Sequence, residues 1–87
     1  MRKVPYKVRV HINGRGFNES FWVMVEKHCT MYNISTVWPK NGARVQESTV
    51  PDYQVVQEVL RLIGELYEKE EICQINLTWS YPQIEVT

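Results

Sequence analysis

Eighty-seven residues, with ten Lys and Arg against ten Asp and Glu, 44% hydrophobic and 11% aromatic, describe one small folded domain and exclude a second folding unit or a disordered tail. No run approaches the roughly 20 apolar residues that a membrane span needs. Arg2, Lys3 and Lys7 are interleaved with Val and Tyr where a secretion signal would carry an apolar stretch, so the chain is expected to be cytoplasmic.

The zero formal charge is a cancellation. Residues 1–16 hold five cations (Arg2, Lys3, Lys7, Arg9, Arg15) and no acid, whereas residues 45–87 hold eight acids against Arg61 and Lys69. Such segregation bears on partners rather than on fold. Cys29 and Cys73 are expected to be reduced thiols packed as small hydrophobes.

In chain order, Val4, Tyr6, Val8, Val10 and Ile12 alternate with Pro5, Lys7, Arg9 and His11, which is a strand with one buried face. Asn13-Gly14-Arg15-Gly16 breaks that pattern with two glycines suited to positive φ. Residues 18–32 contain strand-favouring Phe, Trp, Val and Tyr, but Phe17, Phe21, Val25, Cys29 and Tyr32 are spaced as on a helix. With Asn18 to cap it, Glu19 in its first turn and Asn33 to end it, a helix is expected over 18–32. Two strands would need a turn within Glu26–Cys29, where no Gly or Pro stands.

Residues 34–40 and 43–49 flank Asn41-Gly42, a strong hairpin signal. A two-residue loop there pairs Trp38 with Val45 and Ile34 with Thr49, leaving Ser35, Val37, Pro39, Arg44, Gln46 and Ser48 on the other face. Thr49, Pro51 and Asp52 read as the start of a second helix, with Val55, Val56, Val59, Leu60, Leu62, Ile63, Leu66 and Tyr67 as its apolar stripe. Gln54, Glu58, Arg61, Glu65 and Glu68 form its solvated ridge. Cys73, Ile75, Leu77, Trp79 and Tyr81 then alternate with Gln74, Asn76, Thr78 and Ser80 as a last strand, which Pro82 ends.

The expected order β-α-β-β-α-β is the ferredoxin-like α+β sandwich, a four-stranded antiparallel sheet with two helices on one face. Its open face would be lined by Lys7, Arg9, His11, Ser35, Val37, Arg44, Gln46, Gln74, Asn76 and Thr78. RNA-recognition-motif domains share that topology and stack bases on aromatic residues of the central strands, where this reading places Lys, Arg, His, Gln and Ser. Contact through phosphates remains open to such a face.

The Asn13–Asn18 loop and the Trp38-Pro39-Lys40-Asn41-Gly42 stretch resemble acylphosphatases. The resemblance implies the same topology, a phosphate held by the loop after the first strand, and a water-orienting role for Asn41. The family's arginine, placed just after a Phe, falls here on Asn18, with Arg15 as the substitute cation. His11 and His28 have no metal-ligand spacing, so no metal and no cofactor is expected.

Three functional classes follow. One is a non-enzymatic inhibitor or adaptor of the kind carried by phages and mobile elements, binding a larger protein or protein–nucleic acid complex through Trp22 or through Glu58, Glu65 and Glu68. A second is a nucleic-acid-contacting module using Lys7, Arg9, His11, Arg15 and Arg44. The third is a degenerate acylphosphatase-like phosphate binder. After Pro82, Ile84 and Val86 suggest an edge strand that would join two copies.

Overall fold

The computed structural model describes residues 4–37, 39 and 47–82. They form an α+β domain with a five-stranded, wholly antiparallel sheet and one α-helix. The strands are β1 (Lys7–Gly14), β2 (Phe17–His28), β3 (Met31–Thr36), β4 (Ser48–Val50) and β5 (Ile72–Ser80), in spatial order β4-β3-β2-β1-β5. A short 3₁₀ turn at Asp52–Gln54 leads into helix α1 (Val55–Leu66), which lies between β4 and β5 in the chain. The ferredoxin-like expectation is thereby corrected in strand number, helix number and element order.

The correction originates at residues 18–32, which form strand β2, a turn and the start of β3 instead of a helix. A spacing of four residues places side chains on one face of a helix and equally on one face of a strand, so Phe17, Phe21 and Val25 satisfy both patterns. Val23 separates them: a helix puts it on the flank, whereas the strand points it inward, and it is 0% exposed. β2 then pairs with β1 on one side (Val10 opposite Phe21, Val8 opposite Val23) and with β3 on the other (Val25 opposite Ile34).

Two tight turns make this meander possible. Gly14 faces Phe17 across the loop Arg15-Gly16, where Gly16 has φ +86°. A side chain at Gly14 would come within 2.1 Å of the Phe17 ring and 2.7 Å of the Glu71 carbonyl, so the β1–β2 corner has room only for glycine. The second turn carries no glycine. His28 faces Met31, and Cys29 itself takes φ +59°, the sign that a tight hairpin demands at its first central position.

One sheet face is the core. Val8, Val10 and Ile12 of β1, Phe21, Val23 and Val25 of β2, Ile34 of β3 and Val50 of β4 are buried beneath Val55, Val59, Leu62 and Ile63 of α1. Tyr67, just past the helix, lies parallel to the rings of Phe17 (5.9 Å) and Phe21 (6.3 Å). Its hydroxyl donates to Glu19 Oε2 at 2.5 Å. Glu19, expected in the first turn of a helix, therefore anchors the end of α1 to β2.

Three further expectations change. β4 pairs with β3 one residue away from the expected register, with Ile34 opposite Ser48 and Asn33 opposite Thr49. Because a one-residue slip reverses every side chain, this is the register that buries Val50. The helix stripe is narrower than its sequence suggests, since Val56 and Leu60 remain 40% and 48% exposed. Cys29 and Cys73 are free and exposed rather than packed in the core, one in a turn and the other near the start of β5. The Asn41-Gly42 turn, Arg44, Gln46, Ile84 and Val86 lie outside the described residues.

Candidate functional site

The second sheet face has no helix over it among the described residues, and its lining follows from the pairing. Lys7, Arg9, His11 and Asn13 of β1 lie opposite Met24, Trp22, Ser20 and Asn18 of β2. On their other side they lie opposite Ser80, Thr78, Asn76 and Gln74 of β5. Ser35 of β3 sits opposite Met24, and the exposed Val37 follows β3. The strand registers place Lys7, Arg9, His11, Ser35, Gln74, Asn76 and Thr78 on one open face, and Val37 lines a hollow there with Trp22.

Trp22 stands at the centre of this face, 39% exposed and directly opposite Arg9. The Lys7 ammonium lies 4.6 Å from the Trp22 ring centroid and the Arg9 guanidinium 5.1 Å from it. Both distances are those of cation–π contacts, in which a positive charge rests on the electron-rich face of an indole. Lys7 also lies 5.6 Å from the ring of Tyr6. Further along β1, His11 Nδ1 and Ser20 Oγ share a hydrogen bond of 2.6 Å.

Beside the indole is a shallow depression of about 350 Å³ lined by Trp22, Met24, Ser35, Thr36 and Val37. Thr36, buried beside it, ties strands β2 and β3 together, its hydroxyl donating to the Trp22 carbonyl at 2.6 Å. An apolar hollow walled by an indole that carries two cations suits a hydrophobic side chain next to an acidic group, or a flat ring next to a phosphate. A second hollow, of about 340 Å³, lies toward β4 and is lined by Glu26, Lys27, His28, Asn33, Glu47 and Thr49. There Asn33 Nδ2 donates to Glu47 Oε2 at 3.1 Å.

The fold sorts the remaining sequence candidates. Arg15 is in the β1–β2 turn, at the opposite end of β1 from Lys7, and pairs with Glu71 at 3.4 Å. The loop it occupies leads into strand β2 rather than into the expected helix, so no helix N-terminus stands there to receive an anion. Glu58 and Glu65 are on the far side of the sheet, where Arg61 engages both. Its Nε donates to Glu58 Oε1 in a short contact, and its terminal nitrogen donates to Glu65 Oε1 at 2.6 Å. The bond to Glu58 is the main cause that raises the Arg61 pKa, with the charge of Glu65 adding to it. Glu68 is exposed beyond the end of the helix.

The structure thus unites Trp22 with Lys7, Arg9 and His11 and separates them from Arg15 and from the acidic ridge. Met24 is a residue that the sequence reading did not select, and Tyr6, expected on the buried face of the first strand, instead precedes β1 and is 43% exposed. The alternation Phe21, Val23, Val25 was the available signal, because a strand through it sends Trp22 and Met24 to the face of Lys7 and Arg9. No family model, no curated protein and no solved structure matches the chain, so the site rests on its own chemistry.

Proposed function

We propose that this chain is a non-enzymatic binding domain, an inhibitor or adaptor that docks on a larger protein through the open sheet face around Trp22. The observation that carries the reading is the co-location of a half-exposed Trp with Lys7 and Arg9 beside the hollow formed with Met24 and Val37. Trp and Arg dominate the energetic centres of protein interfaces, where an apolar anchor enters a pocket and charges at its edge set orientation. The matching epitope is an apolar side chain flanked by Asp or Glu. Glu58 and Glu65, already bonded to Arg61, are the less favoured surface.

One observation favours a second reading. Lys7, Arg9 and His11 form a lane on a central strand with an aromatic ring in the adjoining one, the combination with which sheet surfaces hold single-stranded nucleic acid. A single experiment separates the two. Tagged wild type, Trp22→Ala and Arg9→Glu are used to capture partners from host extract with and without nuclease, and each is titrated with oligothymidylate while indole fluorescence is followed. A stoichiometric protein that survives nuclease and is lost with both variants supports the first reading. Salt-sensitive oligonucleotide binding lost with both variants supports the second, and indifference of both ligands to both variants refutes this choice of face.

A further inference from the structure

β5 is an edge strand. Among the described residues it pairs with β1 on one side and with no strand on the other. Natural edge strands are blunted by charge, proline, brevity or a bulge, because an open row of backbone donors and acceptors is a template for pairing. β5 has little of this protection. Its nine residues, Ile72-Cys-Gln-Ile-Asn-Leu-Thr-Trp-Ser80, include no charge and no proline, and the register irregularity opposite Asn13 and Gly14 touches only its first turn of pairing. Ile75 is 44% exposed on it and Cys73 is exposed as well.

We propose that the β5 edge is an interface for a second copy of this chain, joined antiparallel about a two-fold axis at Asn76 to make one ten-stranded sheet. A strand paired antiparallel with itself is self-complementary, so the same donors and acceptors are satisfied in both copies. The register is set from both ends. Centred on Asn76, it places Ile75 opposite Leu77 of the second copy on the core side and Gln74 opposite its Thr78 on the open side. A slide one way draws Pro82 into the ladder, and a slide the other way draws in Glu70 and Glu71.

Charge agrees with this choice. The antiparallel arrangement keeps the Glu70-Glu71 pair of one copy away from its counterpart and brings it to the end of the sheet where Lys7 of the other copy neighbours Ser80. Two strand spacings, about 10 Å, separate them, roughly one Debye length at moderate salt, so the attraction is weak and fades with added salt. The net formal charge of zero adds no overall repulsion. The axis also places both helices on one side of the extended sheet and both Trp22 faces on the other. Five strand spacings, about 24 Å, then separate the two Trp22 strands. The dimer itself does not depend on the function proposed for that face.

The test is sedimentation and light scattering of the full chain from micromolar to sub-millimolar concentration, for wild type and Asn76→Lys. Asn76 is exposed, so its replacement leaves the circular dichroism in place, and also the unfolding midpoint at concentrations where wild type is monomeric. It sets two ammonium groups directly opposite each other and raises the dimer dissociation constant by at least about tenfold. In a Cys29→Ser, Cys73→Ser background, Asn76→Cys faces itself and closes a symmetric disulfide under mild oxidation. A wild type that stays monomeric, a dimer indifferent to Asn76→Lys, or a residue-76 cysteine that fails to cross-link overturns the proposal. So does a dimer that persists in Asn76→Lys and is lost only when residues 83–87 are removed.

Discussion

The two faces of the sheet are cut from the same strands, and β1 displays their difference one residue at a time. Val8, Val10 and Ile12 are fully buried under α1, while Lys7, Arg9 and His11 between them look out over Trp22 and Ser20. The first set contributes stability through apolar area removed from water, which is indifferent to direction. The second set contributes little stability, because exposed cations on an indole are worth about 0.5–1 kcal/mol each. It contributes a specific pattern of shape and charge. Stability and recognition are thereby separated by the period of two, so substitutions ought to affect one or the other.

The largest expected effect is on the core side. Tyr67→Ala removes the ring against Phe17 and Phe21 and strands the Glu19 carboxyl, at a cost of about 3–5 kcal/mol. For a domain of this size that corresponds to a midpoint roughly 15 °C or more lower, readable by circular dichroism. Tyr67→Phe isolates the hydroxyl contribution, about 1–2 kcal/mol, since Glu19 then loses its donor without a cavity. A Tyr67→Phe variant as stable as wild type would show that Glu19 finds water instead.

Next comes Gly14→Ala. The added methyl meets the Phe17 ring, which is stacked on Tyr67, and the Glu71 carbonyl, which is held by Arg15 N–H at 2.9 Å and cannot give way cheaply. A loss of about 2–3 kcal/mol is expected in urea melts. On the open face the same experiment gives the opposite result. Trp22→Ala costs less than about 1 kcal/mol of stability yet weakens partner binding by at least about tenfold, as does Arg9→Glu. Equal losses of stability and affinity in Trp22→Ala would erase the distinction between the faces.

Two substitutions should stabilise without touching either face. Cys29→Gly relieves a left-handed conformation in a residue with a Cβ and is expected to add about 1 kcal/mol. Gly64→Ala, in the exposed part of α1 with no atom within 4 Å of the new methyl, should add about 0.5–1 kcal/mol. Calorimetric midpoints check both, and a destabilised Gly64→Ala would mean that this helix face is covered in solution.

How much of this was legible differs between segments for physical reasons. β1, α1 and β5 were readable because their patterns admit one period each. Residues 18–32 were not, because apolar residues four apart fit both periods and the decisive Val23 carries no mark of its own in the sequence. The turn that ends β2 escaped as well, since Cys29 adopts a conformation that sequence rules reserve for Gly or Asn. That single segment also hid the site, since a helix over 18–32 separates Trp22 from Lys7 and Arg9, whereas a strand puts them side by side.

The sequence by itself determined the local alternations, the amphipathic helix and the cationic lane of β1, because these depend only on side-chain order and the geometry of one element. Only the tertiary structure decided that residues 17–28 would be the strand between β1 and β3, that β4 would slip one residue to bury Val50, and that Trp22 would meet Arg9. Those outcomes depend on hydrogen bonds and buried surface supplied by distant segments. A strand on its own has no partner for its backbone, and β2 becomes the stable choice only when β1 and β3 lie on either side of it.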